Sequence, residues 1–162
     1  KPVEEVTGRG AGLDSAGLGR KIRAIRKAIE VNRPDPADPM DILCKVGGLD
    51  IAGIAGAFLG GAVYRVPVVV DGLISAAAAL IAARLCPAAK CAMLASHVSA
   101  EPAGRMLLDE LGLSPMITAD MCLGEGTGAV ALFPLLDMGI AVYREMNTFD
   151  QNRMEAYTHF DD

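Results

Sequence analysis

The stretch VPVVVDGLISAAAALIAARLCPAAKCAMLAS, residues 66–96, decides the fold. It opens with a short apolar run at 66–70, continues with an alanine-rich run at 73–85, and closes with a second short apolar run at 92–96. Short buried runs of this kind are typical of strands, and the alanine-rich run is typical of a helix. The order strand, helix, strand predicts two parallel strands joined by a crossover helix.

Further helices are predicted on both sides of this unit. The first follows Asp14 and Ser15, which can cap it, and has apolar residues from 18 to 29 on one face. The others are predicted at 40–46, 49–64, 102–111 and 126–146, and an irregular, strand-like segment at 116–123.

Short buried strands that alternate with helices predict an α/β fold. We expect a three-layer, Rossmann-like domain whose mostly parallel sheet is covered on both faces. Residues 1–149 are expected to form this domain portion, and residues 150–162 a polar tail. The helix at 49–64 carries four glycines, which predicts close packing against a neighbouring helix or a subunit partner.

Composition limits the classes of function. The chain is 52% hydrophobic and 22% charged, so it can bury a core, and its net charge of -5 gives no global attraction to nucleic acid or to an anionic membrane. The absence of Trp argues against a base-stacking platform. The long apolar stretch at 66–83 is interrupted by Pro67, Asp71 and Gly72, which disfavours a membrane-spanning helix.

The cysteines and the first residues are also informative. The four cysteines form no C-x-x-C pair and only His97 and His159 could join them, so we expect no metal site and small, buried, reduced thiols of a cytoplasmic protein. The chain starts with Lys1, without an initiator Met or a signal-peptide pattern. We therefore expect a processed or cut chain.

Polar residues follow the predicted strands in three loops, Asp71-Gly72, residues 96–101 and residues 123–128. Ligands bind beyond the carboxyl ends of parallel strands, so we expect these loops to converge. Glu125 lies between two glycines at the start of a helix, where backbone can approach a ligand and the helix dipole favours a carboxylate anion. This placement suits a general base; the alternative is a glutamate that only caps the helix.

Four further residues are candidates for the site. Lys21 falls at the border of an apolar stripe, so it either points inward to an anion or lies along the surface. Ser99 could also serve an anion, although the P-loop pattern and the dinucleotide fingerprint are both missing. His97 is either an acid or base or a hydrogen-bonded structural histidine. Asp71 either contacts substrate or holds its loop through side-chain-to-backbone bonds.

Four segments occur in the order found in one enzyme family. They are TGRGAGLD at 7–14, PVVVDG at 67–72, SHVSAEP at 96–102 and LGEGTGA at 123–129. Together they resemble nicotinate-nucleotide–dimethylbenzimidazole phosphoribosyltransferase over nearly the whole chain, and LGEGTGA is the most specific of them.

The resemblance implies transfer of phosphoribose from nicotinate mononucleotide to a ring nitrogen of 5,6-dimethylbenzimidazole, with release of nicotinate, for the nucleotide loop of cobalamin. Glu125 then matches the family's catalytic base, and Lys21 and Ser99 match contacts to the phosphate. The other substrate-binding positions implied are in the turn: Leu123, Gly124, Gly126 and Thr127. A homodimer without cofactor or metal is implied as well.

One departure from the family is clear. Its members are considerably longer, and their upstream Gly-Glu-Met-Gly-Ile-Gly-Asn-Thr-type segment, which carries a second active-site glutamate and much of the base pocket, does not occur in this sequence. We therefore expect the C-terminal part of the enzyme, to be completed by an N-terminal half. A non-catalytic nucleotide-binding module, a severed half without activity and a purely structural subunit stay open, as does the identity of the acceptor base.

Overall fold

A computed structural model describes residues 1–10 and 12–155 of the chain. The helices in this part are α1 (Val3–Val6), α2 (Ser15–Asn32), α3 (Pro39–Val46), α4 (Leu49–Tyr64), α5 (Leu73–Leu85), α6 (Gly104–Leu111) and α7 (Thr127–Glu145). The strands are β1 (Val68–Val70) and β2 (Met93–Ala95), and a 3-10 helix covers Pro87–Ala92. Helices α4 and α5 begin and end at the predicted residues, whereas α1 and the 3-10 helix were not predicted.

The two strands pair in parallel, as predicted, with Val69 opposite Leu94 at the centre of the register. Helix α5 is the crossover between them. Beyond β2, His97 forms an isolated parallel bridge with Ile117, so the irregular segment runs alongside the sheet without becoming a regular strand. The parallel α/β fold is confirmed, although the sheet within the described residues is small.

Helix α5 lies at the centre of the core. Five of its alanines, Ala76, Ala78, Ala79, Ala82 and Ala83, are buried. Small side chains allow neighbouring helices to approach closely, and Phe58 of α4 and Leu108 and Leu111 of α6 complete the cluster. Full burial of a side chain as large as Phe58 contributes about 1.5–3 kcal/mol relative to its exposure.

The glycines of α4 serve two surfaces. A Cβ on Gly61 would overlap Val68 Cγ2 of β1, so this glycine is required for close helix–strand packing. Gly53, Gly56 and Gly60 have open space where their Cβ atoms would be. The predicted close packing is therefore present at Gly61, and the other three glycines leave a shallow stripe uncovered.

Helix α2 starts where the sequence predicted. The side chain of Asp14 accepts a hydrogen bond from the Gly17 N–H at 2.6 Å, which caps the helix. Gly17 is the one fully buried residue of α2, so the apolar side chains of this helix lie outside the core. Instead, Ile25 and Ile29 face the cleft described below.

Helix α7 is the least covered long element. Of its residues only Gly128 and Leu132 are buried. Its exposed large apolar residues are Val130, Phe133, Leu135, Met138, Ile140, Val142 and Tyr143. By length and apolarity alone, it is the one helix of the described chain that could cross a membrane. A single helix of this kind is weak evidence, since core helices of water-soluble proteins meet the same two criteria.

The structure corrects one expectation about the cysteines. Cys44, Cys86, Cys91 and Cys122 are free, but all four are exposed rather than buried. They lie in short helices and loops at the surface, where apolar burial is not available.

At the C-terminus, Thr148 and Gln151 exchange two hydrogen bonds in a turn. The rest of the predicted tail, 156–162, lies outside the described residues.

Candidate functional site

A cleft of about 920 Å³ lies at the carboxyl ends of the two strands. Its walls come from the three polar loops, the glycine-rich loop before α2, and apolar side chains of α2 and α4. The predicted site residues that line it are Lys21, Asp71, His97, Ser99, Leu123, Gly124, Glu125 and Gly126. Thr127 does not line the cleft; it closes the turn beneath.

Direct contacts bring the three loops together. The Asp71 carboxylate reaches the start of α7, where it accepts hydrogen bonds from Gly126 N–H at 3.2 Å and Ala129 N–H at 3.0 Å. The His97 ring packs so closely on Gly128 that a Cβ there would overlap its Nδ1 atom. The first and second loops are thus both in contact with the third.

Glu125 sits in a left-handed turn. Gly124, Glu125 and Gly126 have φ angles of +77°, +58° and +76°. Glycine adopts this region freely, but a residue with a side chain does so at a cost of about 1–2 kcal/mol. Thr127 closes the turn, because both its N–H (3.1 Å) and its hydroxyl (2.7 Å) donate to the Gly124 carbonyl. The turn leaves the Glu125 side chain exposed at the cleft.

Glu125 does not cap α7. The N-cap residue is Gly126, which has no side chain to do so. In a capping box, one side chain takes the third helical N–H and another takes the N-cap N–H. Here the Asp71 carboxylate takes both, from Ala129 and Gly126. The alternative that Glu125 serves only as a helix cap therefore has no support in the geometry.

His97 has the environment of a structural histidine. It is 5% exposed, and its Nδ1 lies 3.0 Å from the Ser96 hydroxyl oxygen. That hydroxyl has one hydrogen, which it donates to the Val70 carbonyl at 2.7 Å. The ring is therefore held by a hydrogen bond to Ser96, the residue that directly follows β2.

Lys21 points inward, the first of its two predicted alternatives. It is half-buried, and its Nζ donates to the Gly8 carbonyl at 2.9 Å. An ammonium group has three N–H donors, so this bond leaves donors for an anion in the cleft. The lysine is held by the same glycine-rich loop that the sequence placed before it.

Ser99 lies in the second loop and is half-buried. Its hydroxyl oxygen accepts a hydrogen bond from the Glu101 N–H at 3.3 Å, which leaves its own hydrogen to donate elsewhere. The Glu101 carboxylate, in turn, lies directly against Gly8 and lines the cleft. Glu101 was not predicted as a site residue; its place two residues after Ser99 in a polar loop was the available signal.

Two backbone donors of the turn are already occupied. The N–H of Gly126 bonds Asp71, and the N–H of Thr127 bonds the Gly124 carbonyl. A phosphate would have to compete with these hydrogen bonds, so the predicted phosphate contacts of these two residues are less well supported than that of Lys21. The described residues contain no group of three or more side chains suited to a metal ion.

A second, more open concavity of about 880 Å³ is lined mainly by basic side chains of α2 and by Lys45. Some of these charges are paired, Arg26 with Glu4 and Lys45 with Asp41. It contains none of the predicted site residues.

Comparisons with known proteins show the family to which the chain belongs. A family model described as phosphoribosyltransferase matches residues 1–154. Among curated proteins, nicotinate-nucleotide–dimethylbenzimidazole phosphoribosyltransferase of Desulforudis audaxviator is 54% identical over 149 residues, which is 92% of this chain and 42% of the relative. The enzyme of the same name from Clostridium acetobutylicum is 48% identical over 156 residues, 96% of this chain and 44% of the relative.

Solved structures give the same result. The crystal structure of CobT from Thermus thermophilus superimposes with a TM-score of 0.86 at 38% identity, over 95% of this chain and 46% of that one. This chain therefore spans less than half the length of the relatives that it matches.

Proposed function

Because this chain belongs to the phosphoribosyltransferase family, we propose that it supplies the C-terminal part of an enzyme that transfers phosphoribose from nicotinate mononucleotide to 5,6-dimethylbenzimidazole or a related base. One observation carries the proposal. The LGEGTGA turn presents Glu125 to the same cleft that Lys21 and Ser99 line.

The reaction requires one proton acceptor. A ring nitrogen of the acceptor attacks the anomeric carbon of the ribose, and the bond from that carbon to the nicotinate nitrogen breaks. Its electron pair leaves with nicotinate, whose ring nitrogen loses its positive charge. The acceptor ring becomes cationic and gives its N–H proton to the Glu125 carboxylate.

The rest of the cleft binds and orients the nucleotide. Lys21 is placed to pair with the phosphate, since an ammonium–phosphate contact is a charge-assisted hydrogen bond. Ser99 has a hydroxyl hydrogen to donate to the same group. Leu123, which is 74% exposed, offers an apolar surface to an aromatic ring.

The active enzyme needs more polypeptide than this chain provides. We expect an N-terminal half to close the cleft over Glu125 and to cover α7, in a cytoplasmic homodimer without cofactor. Residues 1–149 belong to the catalytic fold in this proposal, and residues 150–162 form a tail. Isolated, the chain would at most bind the nucleotide through Lys21.

The test is Glu125→Gln in the protein completed by its N-terminal half. Glutamine keeps the shape of the side chain but cannot accept the proton, so nicotinate release in the presence of dimethylbenzimidazole should fall about 10²–10⁴-fold. Chromatographic assay of nicotinate and of the α-ribotide measures the rate. Binding of nicotinate mononucleotide should change little.

The matched control is Glu30→Gln, which removes an exposed carboxylate of α2 in the second concavity, away from the cleft. It should leave turnover unchanged. If Glu125→Gln retains full turnover, Glu125 is not the base. If the completed wild-type protein binds the nucleotide tightly but never consumes it, the chain belongs to a binding module instead of an enzyme.

A further inference from the structure

Thr127 supports the turn that carries Glu125 through its two hydrogen bonds to the Gly124 carbonyl. The N–H groups of Gly126 and Ala129, by contrast, have their partner elsewhere in the chain. Three consecutive residues, Gly124 to Gly126, have left-handed φ angles, and the N-cap of α7 is a glycine without a side chain. A glycine-flanked turn samples many conformations unless another part of the molecule restrains it. In this fold the restraint comes from Asp71, which is 55 residues away from Gly126 in the sequence.

The two hydrogen bonds of Asp71 lie on either side of the first turn of α7. One oxygen accepts from Gly126, the residue directly after Glu125, and the other accepts from Ala129. A carboxylate that binds two N–H groups in this way fixes both the direction of the helix and the point where the turn enters it. The backbone of Glu125 is attached to that point.

Asp71 is itself held in a rigid place. It directly follows β1, whose last residue, Val70, is 1% exposed. The Ser96 hydroxyl lies 2.7 Å from the Val70 carbonyl and 3.2 Å from the Asp71 carbonyl, which ties the end of β1 to the end of β2. Asp71 therefore connects the turn to the edge of the sheet, which is a fixed part of the fold.

The packing of Gly128 adds a second constraint. A Cβ at this position would overlap the buried His97 ring and would lie 2.9 Å from Asp71 Oδ1. The first turn of α7 is thus pressed against His97 while Asp71 holds its N–H groups. Little freedom remains for the helix start to shift.

From this geometry we propose that Asp71 is a positioning residue of the transfer reaction: it places the Glu125 carboxylate by holding the first turn of α7. The inference rests on the proposed function, in which Glu125 is the base. Both side-chain oxygens accept hydrogen bonds from the backbone of this turn, and the role of Asp71 is exerted through these bonds.

The role predicts a specific kinetic pattern. The nucleotide is bound mainly through Lys21 and Ser99, so loss of Asp71 should leave KM for nicotinate mononucleotide within about twofold of the wild type. A misplaced base slows proton transfer, so kcat should fall by about 10–100-fold. A residue that bound substrate directly would raise KM instead.

The experiment uses the completed protein with Asp71→Asn. The amide keeps the size of the side chain but presents an NH₂ group to one of the two backbone donors, so one hydrogen bond is lost. Steady-state kinetics give kcat and KM, and amide hydrogen exchange reports the protection of Gly126 and Ala129. Asp109→Asn, which changes an exposed aspartate of α6, is the control and should alter neither. Asp71→Glu keeps the charge and should show an intermediate kcat if Asp71→Asn does not fold.

The expected result is a lower kcat, an unchanged KM and faster exchange at the two amides, with the rest of the fold protected. An unchanged kcat in both Asp71 variants, or a rise in KM at constant kcat, would overturn the inference. An inactive wild-type protein would contradict the proposed function instead. In that case the exchange of Gly126 and Ala129 still decides whether Asp71 holds the turn.

Discussion

At the scale of single residues, Lys21 shows how the fold decides the direction of a side chain at the border of an apolar helix face. Its place in the sequence allowed an inward or an outward side chain, and neighbouring basic residues of α2 do point to solvent. In the fold, the Gly8 carbonyl accepts a hydrogen bond from Lys21 Nζ and draws the ammonium into the cleft. The glycine-rich loop, more than the helix itself, selects this direction.

Replacement of Lys21 by alanine tests its predicted role. A hydrogen bond to a charged group contributes about 1.5–3 kcal/mol, so Lys21→Ala in the completed protein should raise Kd for nicotinate mononucleotide by about 10–100-fold. Calorimetric titration measures Kd. Lys27→Ala removes the same charge from an exposed position of the same helix and should have little effect. Equal Kd values for the two variants would exclude a phosphate contact by Lys21.

At the scale of elements, the start of α7 depends on side chains from elsewhere in the chain. The helix was predicted from its apolar pattern, and it begins one residue from the predicted start. Its cap was not predictable, because capping side chains are expected within a few residues of the helix end. Asp71 instead reaches it from the end of β1.

Two glycine-to-alanine changes in α7 separate packing from helix propensity. Gly128→Ala would place a Cβ against His97 and Asp71, and an overpacked site of this kind costs about 1–3 kcal/mol in the free energy of unfolding. Gly139→Ala places its Cβ in open space, so higher helix propensity should stabilise the chain by up to about 1 kcal/mol. Urea denaturation compares them. Equal effects of the two changes would mean that the first turn of α7 is loosely packed.

At the scale of the whole molecule, the described chain leaves apolar surface uncovered. Helix α7 exposes Phe133 at 53% and Met138 at 57%, and α4 leaves its stripe of three glycines open. Exposed apolar patches that exceed a few hundred Å² mark surfaces that another polypeptide covers. More than half of each relative lies outside the matched region, and the proposed function assigns the covering of α7 to the corresponding N-terminal half.

The isolated chain is therefore expected to self-associate. Sedimentation velocity should show a weight-average mass that rises with protein concentration, because burial of apolar surface drives association. Phe133→Lys should reduce this rise. Val31→Lys, which changes a residue of α2 that is 66% exposed, should not. A chain that stays monomeric at all concentrations would show that α7 is not an association surface.

The sequence by itself determined most of the helices and strands and the central LGEGTGA motif. Strands and helices around residues 66–96 follow from local apolar patterns, and α4 and α5 were predicted to the residue. Glu125 was singled out because two glycines and a helix start surround it in the chain, and the family resemblance then assigned it the role of base. These features depend on neighbours within a few residues, and such information is fully present in the sequence.

Only the tertiary structure decided the contacts that side chains make with residues far away in the sequence. Asp71 could have touched a substrate or its own loop, and the fold shows it at the start of α7 instead. His97 became a buried partner of Ser96, and Glu101 entered the cleft beside Gly8. The physical reason is that hydrogen bonds between residues far apart in the chain depend on how the strands and helices pack. Local sequence patterns do not specify that packing.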